Sequence, residues 1–112
     1  MRDRQPNYNK WHLMMGPYTG YDRVEVTVSG GVENYDVKEN TPFFDTVGQG
    51  SYLEVSSSGS SVYLKMNGSG NAAIPISAGG NWAVADFIFT NLYLTNDSGS
   101  DAIVSLYMMG HR

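Results

Sequence analysis

The sequence predicts an all-β protein: an antiparallel β-sandwich or jelly-roll-like fold of about seven to nine short strands, carrying an extended N-terminal arm. Two observations point there. Short runs alternate apolar and polar residues with the period of two that a half-buried strand requires. Clusters of glycine, asparagine and serine punctuate these runs at the spacing of hairpin turns, and the chain contains 13 glycines. No segment carries a convincing helical apolar period.

Residues 1–20 form the arm. The stretch from Gln5 to Tyr18 mixes Trp11, Leu13, Met14, Met15 and Tyr18 with proline and glycine, and has neither helical nor strand period. Disordered tails are poor in aromatics, so this segment is expected to dock, on its own sandwich or on a neighbouring subunit. Residues 21–112 form the sandwich domain. Arg23 to Val28 alternates cleanly, with Val24, Val26 and Val28 on one face. Ser29-Gly30-Gly31 turns the chain into Val32 to Val37, and Asn40-Thr41-Pro42 breaks it before Phe43 to Val47. Ser51 to Ser56 points Leu53 and Val55 inward, and Ser57 to Ser60 returns the chain into Val62, Leu64 and Met66. Ile74-Pro75-Ile76 is short, and its proline suits an edge or a strand end. Trp82 to Phe89 follows Gly79-Gly80-Asn81. A helix competes there, but β-branched and aromatic residues beside glycines favour a strand. Leu92 to Thr95, the turn from Asn96 to Asp101, and Ala102 to Met108 make the last hairpin. Its strands are largely apolar on both sides, so one side needs a cover. Tyr93, Tyr107 and Met109 are the candidates for a subunit contact, against the alternative that the tyrosines are ordinary half-exposed residues.

At 112 residues the chain suits a single core. Charged residues make up 16%, against about 25% in an average soluble protein. The net charge of −4 and the absence of any Lys/Arg cluster argue against a nucleic-acid partner. No apolar stretch approaches the ~20 residues of a membrane-spanning helix, so no membrane is expected either. The absence of cysteine excludes a disulfide framework and a thiolate metal site, and fits synthesis in a reducing cytosol. Met1 to Pro6 shows no apolar core of a secretory signal.

Catalytic chemistry finds little footing. The two histidines, His12 and His111, stand at opposite ends of the chain, so a metal site or a triad would need distant pieces. Asp97 and Asp101 faintly suggest a calcium loop but lack its remaining oxygen ligands, and an Asx-stabilised turn is the expectation. Gly68, Gly70, Gly79 and Gly80 open no helix and read as turn residues rather than a phosphate cradle. The carboxylates Glu25, Glu33, Asp36, Glu39, Asp45, Glu54 and Asp86 are scattered. The sequence therefore predicts no catalytic residue, no metal and no cofactor. Sugar binding has more support, because Trp82, Trp11 and the tyrosines offer stacking platforms; the competing role for Trp82 is an anchor of the core. The sequons at Asn67 and Asn96 read as turns.

The stretch Leu64-Lys65-Met66-Asn67-Gly68-Ser69-Gly70-Asn71-Ala72-Ala73-Ile74-Pro75-Ile76, followed by Thr90-Asn91-Leu92-Tyr93-Leu94-Thr95-Asn96-Asp97-Ser98-Gly99-Ser100-Asp101-Ala102, resembles small structural proteins of tailed bacteriophages. The resemblance runs from Val62 to Gly110, under half of the chain, and similar modules occur in capsid decoration (cement) proteins, head fibres and tail parts. It implies a virion structural protein, made in the host cytoplasm and placed on the capsid surface. The expected role is a homotrimeric decoration protein that binds the major capsid protein shell and stabilises it, with a fibre or tail receptor-binding or carbohydrate-binding module as the alternative. The resemblance brings no catalytic residues. Trp11, Leu13, Met14, Met15 and Tyr18 are then the expected capsid-contact anchors, Tyr93, Tyr107 and Met109 the subunit contact, and Trp82 a glycan platform in the alternative reading.

Overall fold

The computed structural model describes residues 19–111, and it has the all-β architecture that the patterning predicts. One sheet contains β1 (Thr19–Val28), β8 (Ala102–His111), β3 (Gly50–Ser58) and β6 (Asn81–Phe89), adjacent in that order. The other contains β2 (Tyr35–Asp36), β7 (Leu92–Thr95), β4 (Val62–Met66) and β5 (Ile74–Ile76), again in that order. All six ladders are antiparallel. The pairs β1–β8, β2–β7, β3–β6 and β4–β5 are nested, like the rungs of one long hairpin that turns between β4 and β5. Rolling that hairpin so that alternate pairs fall in different sheets gives jelly-roll topology.

Period-two patterning fills the space between the sheets. Val26, Val28, Leu53, Val55, Val104, Leu106 and Met108 descend from the first sheet, and Val62, Leu64, Met66, Ile76, Leu92 and Leu94 from the second; all are buried. Burying a side chain of this size contributes about 1.5–3 kcal/mol. The run Trp82 to Phe89 is a strand, as its composition suggests. Its register against β3 is irregular between Gly50 and Tyr52, where Asp86 takes φ of 59°, leaving Phe87 and Ile88 exposed.

The segment between β2 and β3 departs from the extended structure that its residues suggested. Of Val32 to Val37 only Tyr35 and Asp36 are strand; α1 (Val37–Asn40) follows, then α2 (Phe43–Val47). Asp36 caps α1 by accepting from the Glu39 amide at 3.2 Å, an Asp-x-x-Glu arrangement at a helix start. Thr41 accepts from the Phe43 amide at 3.1 Å, Pro42 precedes the first turn of α2, and Gly48 ends it at φ of 83°. These helices are too short to display an apolar period, so only their caps announce them. Phe43, Phe44 and Val47 close one end of the sandwich, with Phe44 edge-on to Phe89 at 6.0 Å.

That closure depends on three glycines in one rung, Gly20 on β1, Gly110 on β8 and Gly50 on β3. A Cβ on Gly50 would lie 2.1 Å from the Phe89 ring, and one on Gly20 would lie 2.8 Å from Val47. Glycine inside a strand marks such close approach.

The outer face of the β1-β8-β3-β6 sheet

Residues of β1, β8, β3 and β6 that point away from the core line up in rows across the sheet. Tyr21, Met109, Tyr52 and Ala85 make the first row, and Arg23, Tyr107, Glu54 and Ala83 the second. Glu25, Ser105, Ser56 and Asn81 make the third. The first two rows are tall and aromatic, whereas the third has short side chains on its two inner strands. The step between tall and short rows leaves an open concavity of about 310 Å³, lined by Arg23, Glu54, Ser56, Asn81, Ser105 and Tyr107, with Trp82 and Ala83 of β6 also bordering it. Its size lies at the small end of the ~300–1,000 Å³ typical of ligand sites.

Tyr107 is the hub. The Arg23 guanidinium lies 5.5 Å from its ring centroid, within cation–π range. Tyr21 and Tyr52 approach it at 6.2 and 6.3 Å, the latter edge-on at 78°. The Tyr52 hydroxyl donates a hydrogen bond to Glu54 Oε2. That bond holds the phenol in its neutral form, and with desolvation and the nearby Glu54 charge it raises the Tyr52 pKa above the ordinary 10.0. Arg23 and Glu54 thus stand on either side of one aromatic ring.

Tyr107 and Met109 share this face, on β8, but Tyr93 does not. It lies on β7 in the opposite sheet, paired with Asp36 and Lys65, so the three candidate contact residues form two separate patches. Trp82 is in register with the inward-pointing Val55 and packs, half-buried, against the core. That placement suits an anchor of the core. The arm candidates Trp11, Leu13, Met14, Met15 and Tyr18 lie outside the described residues, as does His12.

The turn residues behave as turns. Asn67 takes φ of 73° and its Oδ1 accepts from the Thr90 amide at 2.8 Å. Asn96 is fully buried and bonds the strand ends around it. Asp101 accepts from the Gly30 amide at 3.3 Å. Among the described residues no group of three or more His, Asp or Glu side chains could hold a metal ion, and no helix is long and apolar enough to cross a membrane.

Sequence reasoning placed Arg23 and Glu54 outward but did not join them to Tyr107 or Asn81. Their rows depend on the pairing of β1 with β8 and of β8 with β3, which no local pattern specifies. No family model and no curated protein matches the chain.

Proposed function

We propose that this protein is a non-catalytic structural module of a tailed-bacteriophage particle, a decoration protein that binds the outer surface of the major capsid protein shell. The observation that supports this reading best is the division between a sealed interior and an aromatic exterior. Apolar side chains fill the space between the sheets, so the fold offers its surroundings a surface rather than an internal chamber. On that surface Tyr21, Tyr107 and Met109 gather on one sheet, and Tyr21 is 68% exposed. Tyrosine and methionine are enriched in interface cores. The jelly roll adds an analogy at the level of fold, because capsid and lectin domains use it, and the stretch from Val62 to Gly110 adds the resemblance to phage structural proteins.

In this reading the subunit is a trimer that joins neighbouring capsid proteins, and symmetric repetition multiplies a modest contact through avidity. The test is addition of purified protein to capsids that lack it, followed by electron microscopy. Threefold density on the outer shell is the expected result. A variant without residues 1–18 keeps every described strand intact and should fold but no longer decorate; normal decoration would remove the arm from the role of clamp. A particle whose map shows no density for the protein on the shell refutes the proposal.

A further inference from the structure

We infer that the concavity beside Tyr107 is a binding site for a neutral saccharide. Its groups select this ligand class. Arg23 offers only donors and Glu54, when ionised, only acceptors, while the Asn81 amide offers both. A hydroxyl can answer all three, because it donates and accepts. An anion would meet Glu54 and a chain of net charge −4, and a cation would meet Arg23. Arg23 and Glu54 are two strand spacings apart, about 10 Å, which one pyranose with its hydroxyls or two linked rings can span. Tyr107 stands beside the short Ser56 and Ser105 in this lining, so a sugar ring seated over the two serines would lie against an aromatic side chain. Tyr52 is a positioning residue: its hydroxyl holds Glu54 Oε2. Trp82, the platform that composition suggested, is half-buried against the core and also borders this concavity.

The inference is independent of the particle assignment, and its test uses the isolated full chain. Backbone amides are followed by NMR during titration with D-glucose, D-galactose, D-mannose and N-acetylglucosamine, each alone, and with N-acetylneuraminic acid as the anionic probe. At least one neutral sugar should shift the amides of Ser56, Asn81, Ser105 and Tyr107 saturably. Tyr107→Ala should weaken that binding about tenfold, the effect of losing one good aromatic contact. Ser56→Tyr, which fills the space over the two serines from an outward position, should abolish it while the dispersed spectrum of the fold persists. The absence of saturable shifts at these amides with all four neutral sugars would overturn the inference, as would unchanged affinity in Ser56→Tyr. Tighter binding of N-acetylneuraminic acid than of every neutral sugar would equally overturn it.

Discussion

Replacing Asn96 with alanine tests whether the loops at one end of the roll are held by a single buried amide. Asn96 is fully buried, and its Nδ2 donates to the carbonyls of Val28 at 2.9 Å and Ser100 at 2.7 Å. Its Oδ1 accepts from the Ser98 amide at 3.0 Å and lies 2.7 Å from the Ser98 hydroxyl. The side chain thus ties the end of β1 to the turn between β7 and β8. Its own backbone, bonded to Gly31 and Val32, is untouched by the substitution. Each lost hydrogen bond costs about 0.5–1.5 kcal/mol, and a carbonyl left buried without a partner costs about 1–3 kcal/mol. Ser98 and Ser100 are near enough to solvent to recover part of this in water, whereas the Val28 carbonyl is enclosed. The expected loss is therefore about 3 kcal/mol, or roughly 10–20 °C in Tm for a domain of this size. Asn96→Asp keeps the acceptor toward Ser98 but turns an oxygen toward the two carbonyls, so it should cost at least as much at neutral pH. Urea denaturation and thermal melting followed by circular dichroism measure both variants. A loss below ~1 kcal/mol in Asn96→Ala would refute the reasoning.

Gly110→Ala should destabilise the fold by at least ~1–3 kcal/mol, because the new Cβ would lie 2.0 Å from the backbone oxygen of Gln49, which cannot rotate away. Gly70→Ala, with nothing within 4 Å of the added carbon, should be near neutral; equal denaturation midpoints for the two variants would contradict the glycine rung. Tyr52 should ionise later than an ordinary tyrosine, because its pKa is raised above 10.0 by the bond to Glu54. The sign follows: the contribution is fully present below the unfolded value and is lost as pH rises through the folded one. Phenolate absorbance of the wild type minus that of Tyr52→Phe isolates this titration, and Glu54→Gln should bring it back toward the ordinary value; an unmoved titration would break the proposed pairing.

How much of this molecule the sequence announces depends on the distance over which each feature is decided. Strand faces are decided by nearest neighbours: the parity of Val24, Val26 and Val28, of Leu53 and Val55, and of Val62, Leu64 and Met66 already separates inside from outside, and the structure buries each of these side chains wholly or in part. The short helices are decided by caps rather than by period, so Asp36-x-x-Glu39 and the flanking Pro42 and Gly48 were the available signals. Strand glycines are a further local signal, and Gly20, Gly50 and Gly110 mark where Val47, Phe89 and the backbone at Gln49 come close.

The candidate site belongs to a longer range. Tyr93 and Tyr107 look alike in the sequence, each an outward tyrosine on one of two strands that the pattern reads as a closing hairpin, but β7 and β8 do not pair: β7 bonds β2 and β4, and β8 bonds β1 and β3. The chain crosses between sheets after β7, and this puts them on opposite sides of the sandwich. Arg23, Tyr107 and Glu54 meet because β8 runs between β1 and β3, a consequence of nesting the first strand with the last. A jelly roll assembles its outer rows from strands far apart along the chain, and such non-local pairings carry no signature in any one segment. Substitutions on the outer row can therefore alter the inferred saccharide site while leaving the inward parity that specifies the fold. Ser56→Tyr and Tyr107→Ala exploit that separation, since both change an outward position of a strand whose alternate residues, Val55 and Leu106, stay buried.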